Sequence, residues 1–156
     1  MPIELGIWKI DSEDVARLPT VPMSNESRLE EILANDLSMV DPRLFLIGRQ
    51  VHTSFGKVID LLALDADGGI AVIEIKRDRT PREVIAQVLD YGSWVRQLED
   101  EDIAGIFDAY WKRYKGGEPA TSLDQAFCTY FGVPEMPETL NERHELLIVA
   151  SELDAS

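Results

Sequence analysis

Three charged side chains interrupt two strongly apolar stretches of the sequence. Asp60 lies within the stretch Lys57–Asp65, and Glu74 and Lys76 lie within Ile70–Lys76. A charged group in a buried strand is costly unless it is paired or bound to a metal. Two carboxylates, together with main-chain oxygens and waters, suit Mg²⁺ or Mn²⁺. Such an ion polarises a phosphoryl oxygen and activates a bound water, and Lys76 could stabilise the developing charge or orient that water. The set therefore predicts phosphodiester hydrolysis.

The register of a hairpin decides whether the two carboxylates meet. The residues 65–69 (Asp-Ala-Asp-Gly-Gly) are typical of a hairpin turn. A three-residue loop, 66–68, would pair Asp60 directly with Glu74 and would use Gly68 in a left-handed conformation. A two-residue loop would place the carboxylates on opposite faces. We expect the first register, and because adjacent carboxylates repel, it makes sense only with a cation between them. The alternative for so short a pattern is a set of solvated charges at the strand ends, with the glutamate paired to the lysine.

The elements around these residues follow a β-α-β-β-β-α-(α)-β order. Strands are expected at 3–10, Leu44–Thr53, Lys57–Asp65, Ile70–Lys76 and 146–150. Helices are expected from a cap at Ser24 or Asn25 to about Met39, from Thr80–Pro81 to Leu98, and irregularly over 101–132 with a break at 116–119. A mixed sheet flanked by helices is the natural packing for this order, so the fold class is α/β.

This order and its motifs resemble the PD-(D/E)XK, or restriction-endonuclease-like, nuclease superfamily, and most of all its RecB-type and NucS-type nuclease domains. The matching residues are Gly56–Leu62, Val72–Arg77, and Gln87 with Tyr91 in a Gln-x-x-x-Tyr element. The resemblance covers about residues 24–98, and the strand 146–150 completes an α-β-β-β-α-β core. It implies an extra N-terminal strand and a helical insertion at about 101–132. The family's proline before the aspartate is Ile59 here.

The resemblance also implies roles for individual residues. Asp60 and Glu74 would be ligands of Mg²⁺ or Mn²⁺, and Lys76 would be the catalytic lysine. Glu30 follows Leu29 as the family's first-helix glutamate does, and it would be a further acidic group near the metal. Glu26 and Glu31 compete with Glu30 for that position.

Four further side chains are candidates for the catalytic or substrate-binding surface. Gln87 and Tyr91 are four residues apart and share a helix face, so they are expected to line the cleft, with Gln87 near the metal and Tyr91 touching the substrate. The alternative is that Tyr91 packs in the core. Arg77 and Arg79 could contact phosphates, or they could be solvated charges at a strand end.

Two functions follow from these residues. The first is a metal-dependent nuclease that hydrolyses DNA, an endonuclease of repair, recombination or defence acting on single-stranded or branched DNA rather than on plain duplex. The second is a non-catalytic module that keeps the nuclease fold and binds nucleic acid or protein. The acidic balance and the aromatic stretch 107–114 favour the second function, which would show an apolar patch such as a homodimer interface. Nothing in the residues separates DNA from RNA as substrate.

Length and charge set the remaining expectations. The 156 residues fit one nuclease-like domain, spanning 1–156, or the N-terminal part of a longer protein. A single cysteine, no signal-like start and no long apolar run predict a cytoplasmic protein without a membrane partner. The net charge of −14 argues against sequence-blind coating of nucleic acid. Residues 43–96, however, contain eight Lys and Arg against seven Asp and Glu, so the acidic excess lies outside the candidate site.

Overall fold

The computed structural model describes residues 6–19, 21, 25–76 and 82–150. Its strands are β1 (Trp8–Asp11), β2 (Asp14–Arg17), β3 (Phe45–His52), β4 (Val58–Leu64), β5 (Ile70–Lys76) and β6 (His144–Ala150). Its helices are α1 (Glu26–Asn35), α2 (Arg82–Val95), α3 (Asp100–Tyr114) and α4 (Leu123–Phe131), with a short 3₁₀ turn at Leu37–Met39. The α-β-β-β-α-β order is therefore present as α1, β3, β4, β5, α2 and β6. The helical insertion is present as α3 and α4.

The main sheet has four strands in the order β3-β4-β5-β6. The first three strands pair antiparallel, and β6 runs parallel to β5, as a crossover through a helix allows. Every residue from Ile70 to Ile75 is buried. A strand buried on both faces must be covered on both faces, which explains why its sequence is apolar at every position from Ile70 to Ile75 except Glu74. The fold is therefore the mixed α/β sheet flanked by helices that the sequence predicts.

The hairpin between β4 and β5 has the predicted register. Leu61 pairs with Ile73 and Leu64 with Ile70, so the loop contains residues 66–68. Gly68 adopts the expected left-handed conformation with φ of 82°. This register brings positions 60 and 74 opposite each other, one step beyond the Leu61–Ile73 pair. The two-residue loop is therefore excluded.

Helix α1 is shorter than the sequence predicts. The Asn25 side chain accepts a hydrogen bond from the main-chain N–H of Arg28 at 2.7 Å, so Asn25 caps the helix. Ser24, the other predicted cap, lies outside the described residues. The predicted extension to Met39 is wrong, because the Asp36 side chain accepts the main-chain N–H of Ser38 at 3.1 Å and starts a separate 3₁₀ turn. The predicted start of the second helix at Thr80–Pro81 also lies outside the described residues.

The N-terminal strand forms a hairpin of its own rather than joining the main sheet. Strand β1 pairs antiparallel with β2, a strand that is not among those the sequence predicts. The predicted strand 3–10 is therefore replaced by Trp8–Asp11, and its residues 3–5 lie outside the described part of the chain. Large apolar side chains on this hairpin remain exposed, including Ile10 at 74% and Val15 at 68%.

The insertion packs on the outer strand of the sheet. Helix α3 contacts β3, and the break before α4 falls at 116–119 as predicted. Phe45 of β3 lies among the rings of Phe107 and Phe127, with ring centroids 6.1 and 6.5 Å away. Among the described residues, none of the helices is both long and apolar enough to cross a membrane.

Candidate active site

The residues predicted to carry chemistry converge at one end of the β4–β5 hairpin. Asp60 comes from β4, Glu74 and Lys76 come from β5, and Gln87 comes from α2. Glu30, on α1, is buried with only 9% of its surface exposed. Five separate positions in the sequence are thus brought together by one sheet and two helices.

Glu74 is the most deeply buried of these carboxylates, with 2% of its surface exposed. Its Oε1 accepts hydrogen bonds from the Lys76 ammonium at 2.9 Å and from the Gln87 amide at 3.0 Å. Within the described part of the chain its Oε2 is buried and has no hydrogen-bond partner. Burial raises the pKa of Glu74, and the charge of Asp60 adds to that effect, while Lys76 opposes it. A buried carboxylate oxygen without a donor is suited to bind a cation.

Asp60 lies beside Glu74 where the β4–β5 ladder opens. Its Oδ2 accepts a hydrogen bond from the main-chain N–H of Ile75 at 2.8 Å, and its Oδ1 accepts one from the Gln50 amide at 3.2 Å. Burial raises the pKa of Asp60; the Ile75 N–H opposes this, and the charge of Glu30 adds to it. The carboxylate is therefore fixed in orientation but costly to ionise without a nearby positive charge.

Lys76 is positioned as a cation next to these carboxylates. Burial alone would lower the pKa of its amine, but the hydrogen bond and charge of Glu74 raise it above its ordinary value. The side chain remains 25% exposed. Lys76 is therefore charged at neutral pH and reachable from solvent, as a group that contacts a phosphate must be.

Of the three competing glutamates, Glu30 has the position expected for the first-helix acid. Its Oε1 accepts a hydrogen bond from the Arg49 guanidinium at 2.6 Å, and its Oε2 accepts one from Gln50 at 2.7 Å. Glu31 is exposed and pairs with Arg28 at 3.0 Å. Glu26 lines the same cavity of about 340 Å³ as Glu30 and Asp60. Arg49 balances the charge of Glu30, and Gln50 links Glu30 to Asp60 through hydrogen bonds to both carboxylates. Glu30 is therefore a neighbour of Asp60 whose charge is already paired.

Gln50 is a site residue that the sequence analysis missed. Its amide donates to both Glu30 and Asp60, and it thereby holds two carboxylates that would otherwise repel. Its φ of 53° is unusual for a residue other than glycine, and such conformations persist only where the surrounding structure enforces them. A glutamine within a strand carries no sequence signal for this conformation, so the sequence does not predict its role. Arg49 was also missed, because its hydrogen bond with Glu30 joins residues that are 19 positions apart in the sequence.

The structure corrects the prediction made for Tyr91. It is fully buried, so it does not line the cleft, and the prediction that it touches the substrate does not fit its position. Its hydroxyl donates to the Val58 carbonyl at 2.6 Å and accepts a hydrogen bond from Gln87, also at 2.6 Å. Tyr91 is thus a positioning residue that holds Gln87 against Glu74. The other predicted substrate-binding residues, Arg77 and Arg79, lie outside the described residues.

The donor set fits a hard divalent cation that keeps several waters. Among the described residues no group of three or more His, Cys, Asp or Glu side chains has metal-binding geometry. Mg²⁺ is commonly held by one or two carboxylates plus water, so two carboxylates satisfy its needs. Asp60 and the unpartnered Oε2 of Glu74 are the groups that could hold such an ion.

No protein-family model matches the chain. It is similar to the protein named endonuclease NucS of Methanopyrus kandleri, with 27% identity over 85 residues. It is also similar to the endonuclease NucS of Thermococcus kodakarensis, with 26% identity over 85 residues. Each match covers 54% of this chain and 32% or 33% of the relative, so the match spans about a third of each relative's length.

The chain is also similar to two solved structures. A repair endonuclease from Pyrococcus abyssi aligns with 90% of this chain and 44% of its own, at a TM-score of 0.47 and 16% identity. An EndoMS–dsDNA2 complex aligns with 95% of this chain and 42% of its own, at a TM-score of 0.48 and 16% identity. At these scores the likeness carries no weight for function.

Proposed function

We propose that the chain is a metal-dependent endonuclease of the PD-(D/E)XK type that hydrolyses phosphodiester bonds of DNA. The observation that carries the proposal is the register that puts Asp60 and Glu74 opposite each other, with the buried Glu74 Oε2 unpartnered in the described part of the chain. A buried carboxylate beside a half-buried one, both with raised pKa values, is unfavourable alone and becomes favourable around a cation. The name endonuclease NucS, carried by both relatives, supports a nuclease.

The residues would divide the work as follows. Asp60 and Glu74 would hold Mg²⁺ or Mn²⁺, which when bound supplies Lewis-acid polarisation of the phosphate and an activated water. The Lys76 ammonium, held 2.9 Å from Glu74, is placed to meet the negative charge that develops on the phosphate. Gln87 orients Glu74 through a 3.0 Å hydrogen bond, and Tyr91 in turn orients Gln87.

The substrate is proposed to be single-stranded or branched DNA rather than plain duplex. The net charge of −14 disfavours tight binding of a long duplex backbone, because phosphate contacts dominate such binding. A place in DNA repair, recombination or defence and a cytoplasmic location belong to the same proposal. The region that matches spans about a third of each relative, so the activity and partners of the whole relatives are carried over only as proposals.

The test is cleavage of single-stranded, forked and mismatched DNA with Mg²⁺ or Mn²⁺. We expect wild-type protein to cleave at least one of these, and Glu74→Gln and Lys76→Met to lose about 10²–10³-fold in rate, the range seen when one electrostatic stabiliser is removed. Asp67→Asn, on the exposed hairpin loop, is the matched control and should retain full activity. Wild-type protein that cleaves no better than Asp60→Ala would overturn the proposal.

A second candidate is a module that keeps this fold without catalysis. The apolar face of the β1–β2 hairpin favours it, since Trp8, Ile10 and Val15 are all more than half exposed. Exposed apolar patches of this kind are common at protein interfaces, including those of homodimers. Binding of forked DNA without cleavage in the presence of both ions, or dimerisation abolished by Ile10→Lys, would favour this candidate.

A further inference from the structure

A second cavity lies beside the candidate active site. It has a volume of about 510 Å³ and is walled by β3, by Trp94 of α2 and by the face of α3 that carries Tyr110 and Tyr114. Cavities of roughly 300–1,000 Å³ are typical of sites for small organic groups. We call it the α3 groove. The cleavage mechanism proposed above gives this cavity no role.

The α3 groove is continuous with the candidate active site. Arg49, Gln50 and Tyr114 line both the groove and the carboxylate cavity that contains Glu30 and Asp60. A group bound in the groove therefore lies next to whatever binds at the carboxylates. Two neighbouring parts of one substrate could therefore occupy the α3 groove and the carboxylate cavity at the same time.

The groove combines flat aromatic surface with two arginine side chains, of which Arg49 is paired with Glu30. The guanidinium groups of Arg49 and Arg113 both lie against the Tyr114 ring, 4.9 and 5.1 Å from its centroid, and the Arg113 side chain is exposed. Trp94 and Tyr114 are half-buried, so part of each ring faces the groove. Aromatic rings stack on nucleobases of any sequence, and arginines next to them contact phosphates.

Two acidic residues at the start of α3 limit which chemical groups the groove can bind. Glu101 and Asp102 also line the groove, and the Asp102 carboxylate already accepts the main-chain N–H of Glu99 at 2.9 Å. Both lie at the start of α3, about 18 Å along the helix from Tyr114 at ~1.5 Å per residue, and carboxylates there repel a continuous phosphate backbone. A base can present its face to the Tyr114 ring at the other end of the groove only when it is unstacked and unpaired.

We propose that the α3 groove binds one unpaired nucleobase of a single-stranded DNA segment, next to the phosphate at the carboxylates. The base would take the place of the exposed Arg113 side chain on the Tyr114 ring, and the displaced Arg113 would contact the adjacent phosphate. This inference rests on the proposed function for the position of the phosphate. It adds a base-binding site that makes a single-stranded arm, rather than plain duplex, the preferred part of the substrate.

The experiment measures binding of forked duplexes in EDTA at low salt by fluorescence anisotropy. An abasic nucleotide is moved one position at a time along the single-stranded arm, which leaves the phosphates unchanged. We expect one position near the junction at which loss of the base weakens binding roughly 5- to 150-fold, the range that corresponds to one base–aromatic stack. Tyr114→Leu should remove this position dependence.

Arg113 and its neighbour Lys112 provide a matched pair that is independent of the aromatic ring. Both side chains are exposed near the end of α3, but only Arg113 lines the groove. Arg113→Ser should reduce the slope of log affinity against log salt by about 0.7, as expected for one lost contact to a single strand. Lys112→Ser should leave the slope unchanged.

Several outcomes would overturn the inference. They are equal binding at every abasic position, no binding of the fork by wild-type protein, position dependence that survives Tyr114→Leu, or equal slopes for the two serine variants. Cleavage of the same forks with Mg²⁺ tests the proposed function separately. Position-dependent binding without cleavage would support the base-binding groove and contradict the nuclease proposal. Cleavage with uniform binding would support the nuclease proposal and contradict the base-binding groove.

Discussion

The side-chain amide of Gln50 donates a hydrogen bond to Glu30 at 2.7 Å from a backbone with φ of 53°. The same amide nitrogen lies 3.2 Å from Asp60, so one neutral group links two acidic ones. The link explains how carboxylates from α1 and β4 can be held together at a buried site. It also explains why an unfavourable backbone conformation is retained at this position.

Replacing Gln50 by leucine should therefore destabilise the protein. The Gln50→Leu variant leaves two carboxylate oxygens without their donor, and we expect the free energy of unfolding to fall by about 1–3 kcal/mol. The measurement is urea denaturation monitored by fluorescence. Gln50→Asn, which keeps the amide and tolerates positive φ better, should lose less. If the two variants are equally stable, the amide does not hold the carboxylates.

Tyr91 should affect turnover without affecting substrate affinity. Tyr91→Phe removes the hydroxyl that holds Gln87 and binds Val58, so we expect a lower kcat at unchanged KM and a stability loss of about 0.5–1.5 kcal/mol. Tyr130→Phe is the control, because its hydroxyl likewise donates to a main-chain carbonyl, at 2.9 Å to Leu44. That variant should lose comparable stability and keep full kcat. A raised KM for Tyr91→Phe would restore the direct substrate contact that the structure contradicts.

Gly68 should be intolerant of a side chain. Its φ of 82° is strained for other residues, and an added Cβ would lie 2.9 Å from the Leu140 side chain and 3.3 Å from the Thr139 carbonyl. We expect Gly68→Ala to lower the free energy of unfolding by about 1–2 kcal/mol or more. Gly117→Ala, which has open space around it, is the control and should change stability little. Equal stability of the two variants, measured by thermal unfolding, would contradict the register of the hairpin.

The raised pKa of Asp60 should appear as a pH dependence of stability. Burial raises this pKa above its ordinary value of 3.8, and the charge of Glu30 contributes in the same direction. A carboxyl with a higher pKa in the folded state stabilises fully below its unfolded pKa, and this contribution is lost as pH rises through the folded value. Asparagine does not titrate in this range. In EDTA, wild-type protein should therefore gain stability relative to Asp60→Asn as pH falls from about 7 to about 4. A constant difference across that range, measured by urea denaturation, would show that the pKa is not raised.

The sequence was sufficient for the part of the site that depends on strand alternation. Placing Asp60 opposite Glu74 required only the parity of the strands and a glycine at position 68, and the structure has that register. Helix spacing predicted only that Gln87 and Tyr91 share a face, and the resemblance placed Gln87 near the metal ligands, where the structure has it hydrogen-bonded to Glu74. Strand parity and helix spacing are local rules that one sequence carries in full.

The parts that could not be predicted depend on tertiary contacts. The conformation of Gln50 is imposed by two carboxylates that are 10 and 20 residues away in the sequence. Tyr91 was assigned to the cleft because helix spacing gives its face but not its depth, and it is fully buried. The pairing of β1 with β2 was missed because Asp14–Arg17 is short and half charged, which is a weak strand signal.

The central claim is that Asp60 and Glu74 jointly hold a divalent cation, and a calorimetric titration with Mn²⁺ in the absence of DNA tests it most directly. We predict that wild-type protein and the loop variant Asp67→Asn bind Mn²⁺ with the same affinity. Asp60→Asn and Glu74→Gln should each weaken binding by about tenfold or more, since each removes one of two charged ligands. Undetectable Mn²⁺ binding by wild-type protein, or unchanged affinity in Asp60→Asn and Glu74→Gln, would contradict the account.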